Sequence, residues 1–239
     1  MQLKTALNLI YPAQCMTCDA VVEETGALCG ICWRETRFIT GLTCLQCGTP
    51  LLGDAGEADT RCDDCLQIAR PWRRGFAAIL YDGNGRRLVL SLKHGDRTEH
   101  ARPASKWMAR RIETPDPDTL VVPVPLHWLR FLKRRYNQSA LLAKYLAEEL
   151  NLEYAPYALH RPRATPKLDG KTKNDRFETL NMAIVAHPKH GTQLAGRPVL
   201  LVDDVMTSGA TLAACTEACH LAGADSVNVI VLARVAKDN

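Results

Sequence analysis

The residues with the clearest chemical pattern run Val199-Leu200-Leu201-Val202-Asp203-Asp204-Val205-Met206-Thr207-Ser208-Gly209-Ala210-Thr211. Four apolar residues read as a buried strand, two carboxylates stand at its end, and a small hydroxyl-rich turn opens into a helix. Backbone N–H groups of residues 207–211, Ala210 included, then lie at a helix N-terminus, where they suit a phosphate. Thr207, Ser208 and Thr211 add hydroxyl donors, and Gly209 lets the backbone approach closely. Asp203 and Asp204 sit too near that phosphate to coordinate it. They suit sugar hydroxyls instead, or waters held on a magnesium ion. An ordinary strand–turn–helix connection shares this outline, but the joint pattern of apolar strand, double acid and TSGxT is far rarer.

A second constellation is built from cysteine. The pairs are Cys15/Cys18, Cys29/Cys32, Cys44/Cys47 and Cys62/Cys65, with ten residues between the first two pairs and fourteen between the last two. Two CxxC knuckles facing each other make a tetrahedral four-thiolate zinc site. Cys15, Cys18, Cys29 and Cys32 are assigned to one zinc, and Cys44, Cys47, Cys62 and Cys65 to a second; spacing alone leaves a cross-braced pairing open. Four such units exceed what a thioredoxin-like redox site uses. Closed sites of this kind are structural, so metal binding would supply most of the folding energy of a segment with so little core. Cys215 and Cys219, four apart on an apolar helix face, read as buried core residues.

Other elements must position these groups. Residues 70–75, RPWRRG, mark the expected boundary between a metal module at 1–70 and a second domain at 71–239. Beyond it, Phe76–Tyr81, Thr119–Val124, Pro198–Val202 and Val227–Leu232 read as strands. Residues 86–94, 104–111, 138–150 and 209–222 read as helices, the third with an apolar stripe through Leu142 and Leu146. Strands alternating with helices give a mainly parallel α/β sheet, and ligands of such sheets sit at the carboxyl ends of the strands. Residues 161–176 are polar, without periodicity, and hold six Lys/Arg against two Asp. They read as a long mobile loop suited to a lid.

The bulk numbers bound the rest. The chain has 239 residues, 46% hydrophobic and 23% charged, enough for one medium domain and a small one. No apolar run reaches the roughly 18 residues that span a bilayer, and the first residues lack a signal peptide's form. A cytoplasmic protein without membrane insertion is expected. Residues 1–70 hold five Lys/Arg and nine Asp/Glu, so the rest of this +4 chain carries +8. A polyanion should therefore meet the C-terminal part first. There, Arg130, Lys133, Arg134 and Arg135 interleave with Trp128, Phe131 and Tyr136. That mixture suits single-stranded nucleic acid and equally suits an amphipathic helix with solvated bases.

The Asp203–Thr211 segment resembles the 5-phosphoribosyl-1-pyrophosphate (PRPP) signature of type I phosphoribosyltransferases. With the cysteine module in front, nearly the whole chain resembles the ComF family, which includes the GntX-type proteins. Val122-Pro123-Val124-Pro125-Leu126-His127 resembles the family's pyrophosphate-side loop. Arg134-Arg135-Tyr136-Asn137-Gln138-Ser139 resembles its RRGFNQ stretch. The segment from Thr165 to Asn181 resembles its flexible loop, with Lys167 where the family usually has Gln. The resemblance implies a type I phosphoribosyltransferase-like domain behind a double zinc ribbon, and a role in natural competence and DNA uptake. It implies PRPP bound with Mg²⁺ by Asp203, Asp204 and residues 206–211, Met206 included: the 5′-phosphate on residues 207–211, the ribose at Asp203 and Asp204, and the pyrophosphate near Pro123, Val124 and Pro125. Arg161, Arg163, Lys167, Lys171 and Arg176 would assist from the loop. Single-stranded DNA and a DNA-translocating helicase are the implied partners. Some purine-using relatives carry Asp where this chain has Thr207, so no base for an acceptor is identified there. Transfer to an unknown acceptor and a purely regulatory use of PRPP are both expectations.

Overall fold

The computed structural model describes residues 12–53, 60–94, 97–126, 136–162 and 183–236. Among the described residues the metal module has two short helices, α1 (Gly30–Glu35) and α2 (Asp63–Gln67), each starting directly after a cysteine, Cys29 or Cys62. The larger domain follows as β1 (Gly75–Leu80), α3 (Gly83–His94), α4 (Ala101–Ala109), β2 (Leu120–Pro123), α5 (Gln138–Leu150) and β3 (Glu153–Tyr154). It continues with β4 (Leu159–His160), β5 (Val185–Ala186), β6 (Pro198–Met206), α6 (Ala210–Leu221) and β7 (Ser226–Arg234).

Five strands form one parallel sheet in the order β1-β7-β6-β2-β3. Its central strands are near-continuous apolar runs because both faces are covered. On one face, Leu88, Leu92, Met108, Leu142 and Leu146 from α3, α4 and α5 pack on Val121, Leu200, Val202 and Ile230. On the other, Leu212 and Cys215 of α6 pack on Val199, Leu201 and Val229, together with Cys44, Cys47 and Cys65 from the metal module and Trp72 just after it. The module therefore covers part of the sheet. Segment 37–39 also pairs with β1, through Ile39 N–H to Ala78 O at 2.9 Å and Leu80 N–H to Arg37 O at 2.9 Å. That pairing shields a sheet edge.

α5 spans the residues its periodicity predicts. Asn137 caps it by accepting from Ser139 N–H at 3.1 Å, and Asn151 closes it in the left-handed region at φ 53°. β6 differs from expectation. It runs four residues past Val202 because β7 is nine residues long and keeps pairing: Asp203 opposite Val231, Val205 opposite Ala233, Met206 opposite Arg234. The carboxylates are thus the sixth and seventh residues of a nine-residue strand rather than beyond it. Residues 161 and 162 follow β4, which pairs antiparallel with β5, and 163–176 lie outside the described residues.

Candidate functional site

β2 leads through α5 to β3, outward on one side. β6 leads through α6 to β7, outward on the other. α5 lies on one face and α6 on the opposite one. The carboxyl ends of β2 and β6 therefore flank a topological switch point, where the diverging connections open a crevice. Val124 donates its N–H to Val202 O at 2.9 Å, and Asn137 Nδ2 donates to Val124 O at 3.0 Å. Those bonds fix the Pro123-Val124-Pro125 turn beside the end of β6, with Val124 buried.

Across the crevice stands the acid pair. Ser139 Oγ, at the start of α5, donates to Asp203 Oδ1 at 2.8 Å. The backbone N–H of Asp204 donates to the same oxygen at 2.9 Å. Burial and the neighbouring Asp204 charge push the Asp203 carboxyl up to about 7, against the Ser139 hydroxyl and Lys93, which favour the carboxylate. Asp204 is 7% exposed and forms an ion pair with Lys93 Nζ of α3 at 3.0 Å. An anion–cation pair at this depth needs both partners, since either alone would be a buried uncompensated charge.

The turn after the acids reaches α6 through Gly209, at φ +81°. Met206 buries its side chain in the core and offers only its backbone, whereas Thr207 is exposed and Ser208 half-buried. Ser208 Oγ accepts from Ala210 N–H at 3.4 Å. Among the described residues no group accepts from the N–H of Thr207, Ser208, Gly209 or Thr211. Unpaired donors at the N-terminus of a 12-residue helix form a preorganised anion cradle.

The other expected residues divide. Arg161, expected on the mobile loop, is 8% exposed at the end of β4, within electrostatic reach of Cys215 on α6. The β4–β5 pairing anchors it there. Arg163, Lys167, Lys171 and Arg176 lie outside the described residues, as do Arg130, Lys133, Arg134 and Arg135. Lys93 and Ser139 are site residues that sequence reasoning missed. Ser139 is the last residue of the RRYNQS stretch, which was a usable signal; Lys93 had none beyond its place in the last turn of a predicted helix.

The cysteines collect sequentially rather than cross-braced. The Sγ atoms of Cys15, Cys18, Cys29 and Cys32 lie within 4.8 Å of one another, and so do those of Cys44, Cys47, Cys62 and Cys65. Cys18–Cys29 and Cys47–Cys62 are each 3.6 Å apart. A tetrahedral zinc with bonds of about 2.3 Å needs edges of about 3.8 Å, so both sets fit the ion. Burial, then the charge of Cys47, pushes the Cys62 thiol up to about 11. Crowded thiols resist joint ionisation unless a dication sits among them. Zinc would hold these chain segments together and contribute no reaction, because four thiolates close its coordination.

Residues 6–66 match the double zinc ribbon domain, and residues 137–239 match the phosphoribosyl transferase domain. Relatives cover both together. The chain is 32% identical over 236 residues to DNA utilization protein YhgH of Escherichia coli K12, covering 95% of this chain and 99% of that one. It is 33% identical over 229 residues to Competence protein F of Haemophilus influenzae, covering 92% and 96%. The chain belongs to the ComF family. A more distant ComF relative, Competence protein ComFC of Bacillus subtilis, is 23% identical over 85% of this chain and 87% of its own. Among solved structures, the glutamine PRPP amidotransferase of B. subtilis aligns with 60% of this chain and 30% of its own, at TM-score 0.40 and 18% identity. Adenine phosphoribosyltransferase of Thermoanaerobacter pseudethanolicus aligns with 58% of this chain and 82% of its own, at TM-score 0.36 and 17% identity. The ComF chain thus has a type I phosphoribosyltransferase sheet behind a double zinc ribbon. No helix among its described residues is long and apolar enough to cross a membrane.

Proposed function

We propose that this ComF-family protein binds PRPP with Mg²⁺ in the switch-point crevice and acts in DNA uptake. The observation that carries the reading is the pairing of an acid couple with unpaired N–H donors, both at the carboxyl end of β6 beside the β2 turn. The donors of residues 207–211 would take the 5′-phosphate, and Asp203 and Asp204 the ribose hydroxyls. The Pro123-Val124-Pro125 turn would border the pyrophosphate. Mg²⁺ would neutralise that leaving group's charge. The protein's own contribution is to orient the sugar and exclude water, so that positive charge developing at C1 meets an acceptor rather than solvent. The relatives' names, DNA utilization protein and competence proteins, supply the uptake context.

A second reading treats PRPP as a regulator of a non-catalytic factor that handles single-stranded DNA or recruits a translocating helicase. Thr207 favours it, because this exposed position carries no carboxylate to deprotonate an acceptor. Calorimetric titration of PRPP·Mg²⁺ into wild type and into the Asp203→Asn/Asp204→Asn double variant tests the shared core of both readings. Binding by wild type that the variant loses is expected. A folded wild type that binds no PRPP would end both. Release of pyrophosphate with a candidate acceptor present then separates transfer from regulation.

A further inference from the structure

Two arginines lie buried beneath the phosphate turn without carboxylate partners among the described residues. Arg70, on the segment leaving the second ribbon, is 8% exposed, and Arg234, ending β7, is 3% exposed. Buried guanidinium groups need a counter-charge. Here the nearby groups able to carry negative charge are the sulfurs of the second metal site. Arg70 hydrogen-bonds the Cys65 sulfur. Arg234 stands within electrostatic reach of Cys47. A zinc ion held by four thiolates carries a net charge of about −2, which two guanidiniums balance.

The same guanidiniums grip the turn. Arg70 Nη1 donates to Ser208 O. Arg234 Nη1 donates to Met206 O at 3.1 Å and Thr207 O at 2.9 Å. In a planar trans peptide the N–H points opposite to the C=O. Holding the carbonyls of Met206, Thr207 and Ser208 inward therefore turns the N–H groups of Thr207, Ser208 and Gly209 outward, as their lack of internal acceptors requires. Gly209 is needed twice over. Its φ is +81°, and a Cβ there would stand 2.8 Å from Arg70 Nη1 and 3.0 Å from the Trp72 ring.

We propose that Arg70 and Arg234 are positioning residues that couple the Cys44/Cys47/Cys62/Cys65 metal centre to the phosphate turn. The metal–thiolate charge holds the guanidiniums, the guanidiniums hold three carbonyls inward, and three N–H groups face a phosphate dianion. Loading of the second metal site thereby sets anion affinity, and loading of the first does not. The coupling rests on the reading of this turn as a phosphate site, but its geometry can be tested separately.

The test uses full-length, zinc-loaded protein and compares wild type with Arg70→Met, Arg70→Lys and Cys18→Ser. Zinc content, melting temperature, amide exchange at residues 207–209 and affinity for PRPP·Mg²⁺ and for inorganic phosphate are measured. Arg70→Met is expected to keep two zinc ions, exchange faster at 207–209 and bind both anions at least tenfold more weakly. Arg70→Lys reaches either a carbonyl or a thiolate, not both, so intermediate affinity with two zinc ions is expected. Cys18→Ser should keep wild-type exchange and affinity. Wild-type exchange and affinity in folded Arg70→Met would overturn the coupling. Should Arg70→Met not fold, wild-type affinity in Arg70→Lys would overturn it equally. If wild type binds neither anion, the phosphate reading fails, and amide exchange alone decides whether the arginines set the turn.

Discussion

The two ribbons share one recipe, two CxxC knuckles around a thiol tetrad, yet the fold uses them differently. The first inserts only Met16 into the cluster under α3 and α4 and otherwise meets that side through a few contacts. Asn84 Nδ2 donates to Cys32 O at 3.3 Å, Arg97 pairs with Asp19 at 2.7 Å, and Phe38 meets Trp107 edge-on at 5.2 Å. Cys18 is exposed, as are Val21, Ile31 and Trp33. The second lies inside the hydrophobic cluster of the sheet, with Cys44, Cys47 and Cys65 all buried beside Met206 and Ala210. Gly48 packs so closely on β1 that a Cβ there would stand 2.7 Å from Ala77 N. Trp72 donates its indole N–H to Gln46 O, between the knuckle cysteines. An identical local motif thus serves as an outlying module in one place and as part of a domain core in the other. Surroundings, not ligands, make the difference.

The largest break in that contrast comes from the metal ligands. Cys47→Ser should unsettle the sheet as well as the ribbon, costing more than about 5 kcal/mol, the range reached when a structural metal is lost from a core. Cys18→Ser should melt only its own knuckle. Thermal unfolding followed at Trp72 and at Trp33 checks this, and equal global destabilisation by both variants would contradict the contrast.

The tryptophans give the next largest effect. Trp72 is 2% exposed and Trp33 is 48% exposed. Trp72→Ala is expected to cost about 3–5 kcal/mol through cavity formation, and Trp33→Ala within about 0.5 kcal/mol. Denaturant titration measures both. A large loss at Trp33 would mean that the exposed face of the first ribbon also carries stability.

Acidity sharpens the comparison on the side of the second ribbon. The folded Asp203 value of about 7 stands above the ordinary 3.8. Its contribution to stability is fully present below pH 3.8 and is lost as pH rises through 7. Asp203→Asn removes the ionisation and should stabilise the protein at pH 8 by on the order of 2 kcal/mol, with no gain near pH 4. Because Asp203 belongs to the same end of the sheet, zinc release to a chelator at pH 8 should slow at the second site and stay unchanged at the first. Melting curves across pH, with metal release followed in parallel, check both parts.

Much of this architecture was legible in residue types. The paired cysteines, the VLLVDDVMTSGAT segment and the helix at 138–150 all carry local patterns that the structure repeats. Ser139 carries no local sign of its partner, since its bond to Asp203 spans 64 positions. Arg70 read as part of a linker for the same reason: its acceptor, Ser208, is 138 positions away. Lys93 and Arg234 likewise act through contacts made only when strands and helices converge at the switch point. Periodicity and spacing report local geometry. They are silent about which distant chain segment supplies a counter-charge. The end of β6 was also hidden, because acids usually signal the close of a buried strand, and only pairing with β7 shows that this one continues.

The smallest effect concerns how the first ribbon is fastened. Arg97 and Asp19 pair at 2.7 Å, with side chains 37% and 59% exposed. Water and salt screen such a pair, so Asp19→Asn should cost about 0.5 kcal/mol or less and nothing at high ionic strength. Asp19 stands at φ 59°, a left-handed position that Asn also tolerates, so the substitution removes charge without backbone strain. Asn84, which donates to Cys32 O from a site only 3% exposed, lacks that screening. Asn84→Ala should cost about 1–2 kcal/mol, because it removes a buried amide that bonds Cys32 O, Glu35 and Arg87 together. If Asp19→Asn proved the costlier of the two in 0.5 M salt, the first ribbon would be held by its charged rim. The opposite order, expected here, places its attachment in buried contacts, the Asn84 amide and Met16 beneath α3 and α4, rather than in its charged rim.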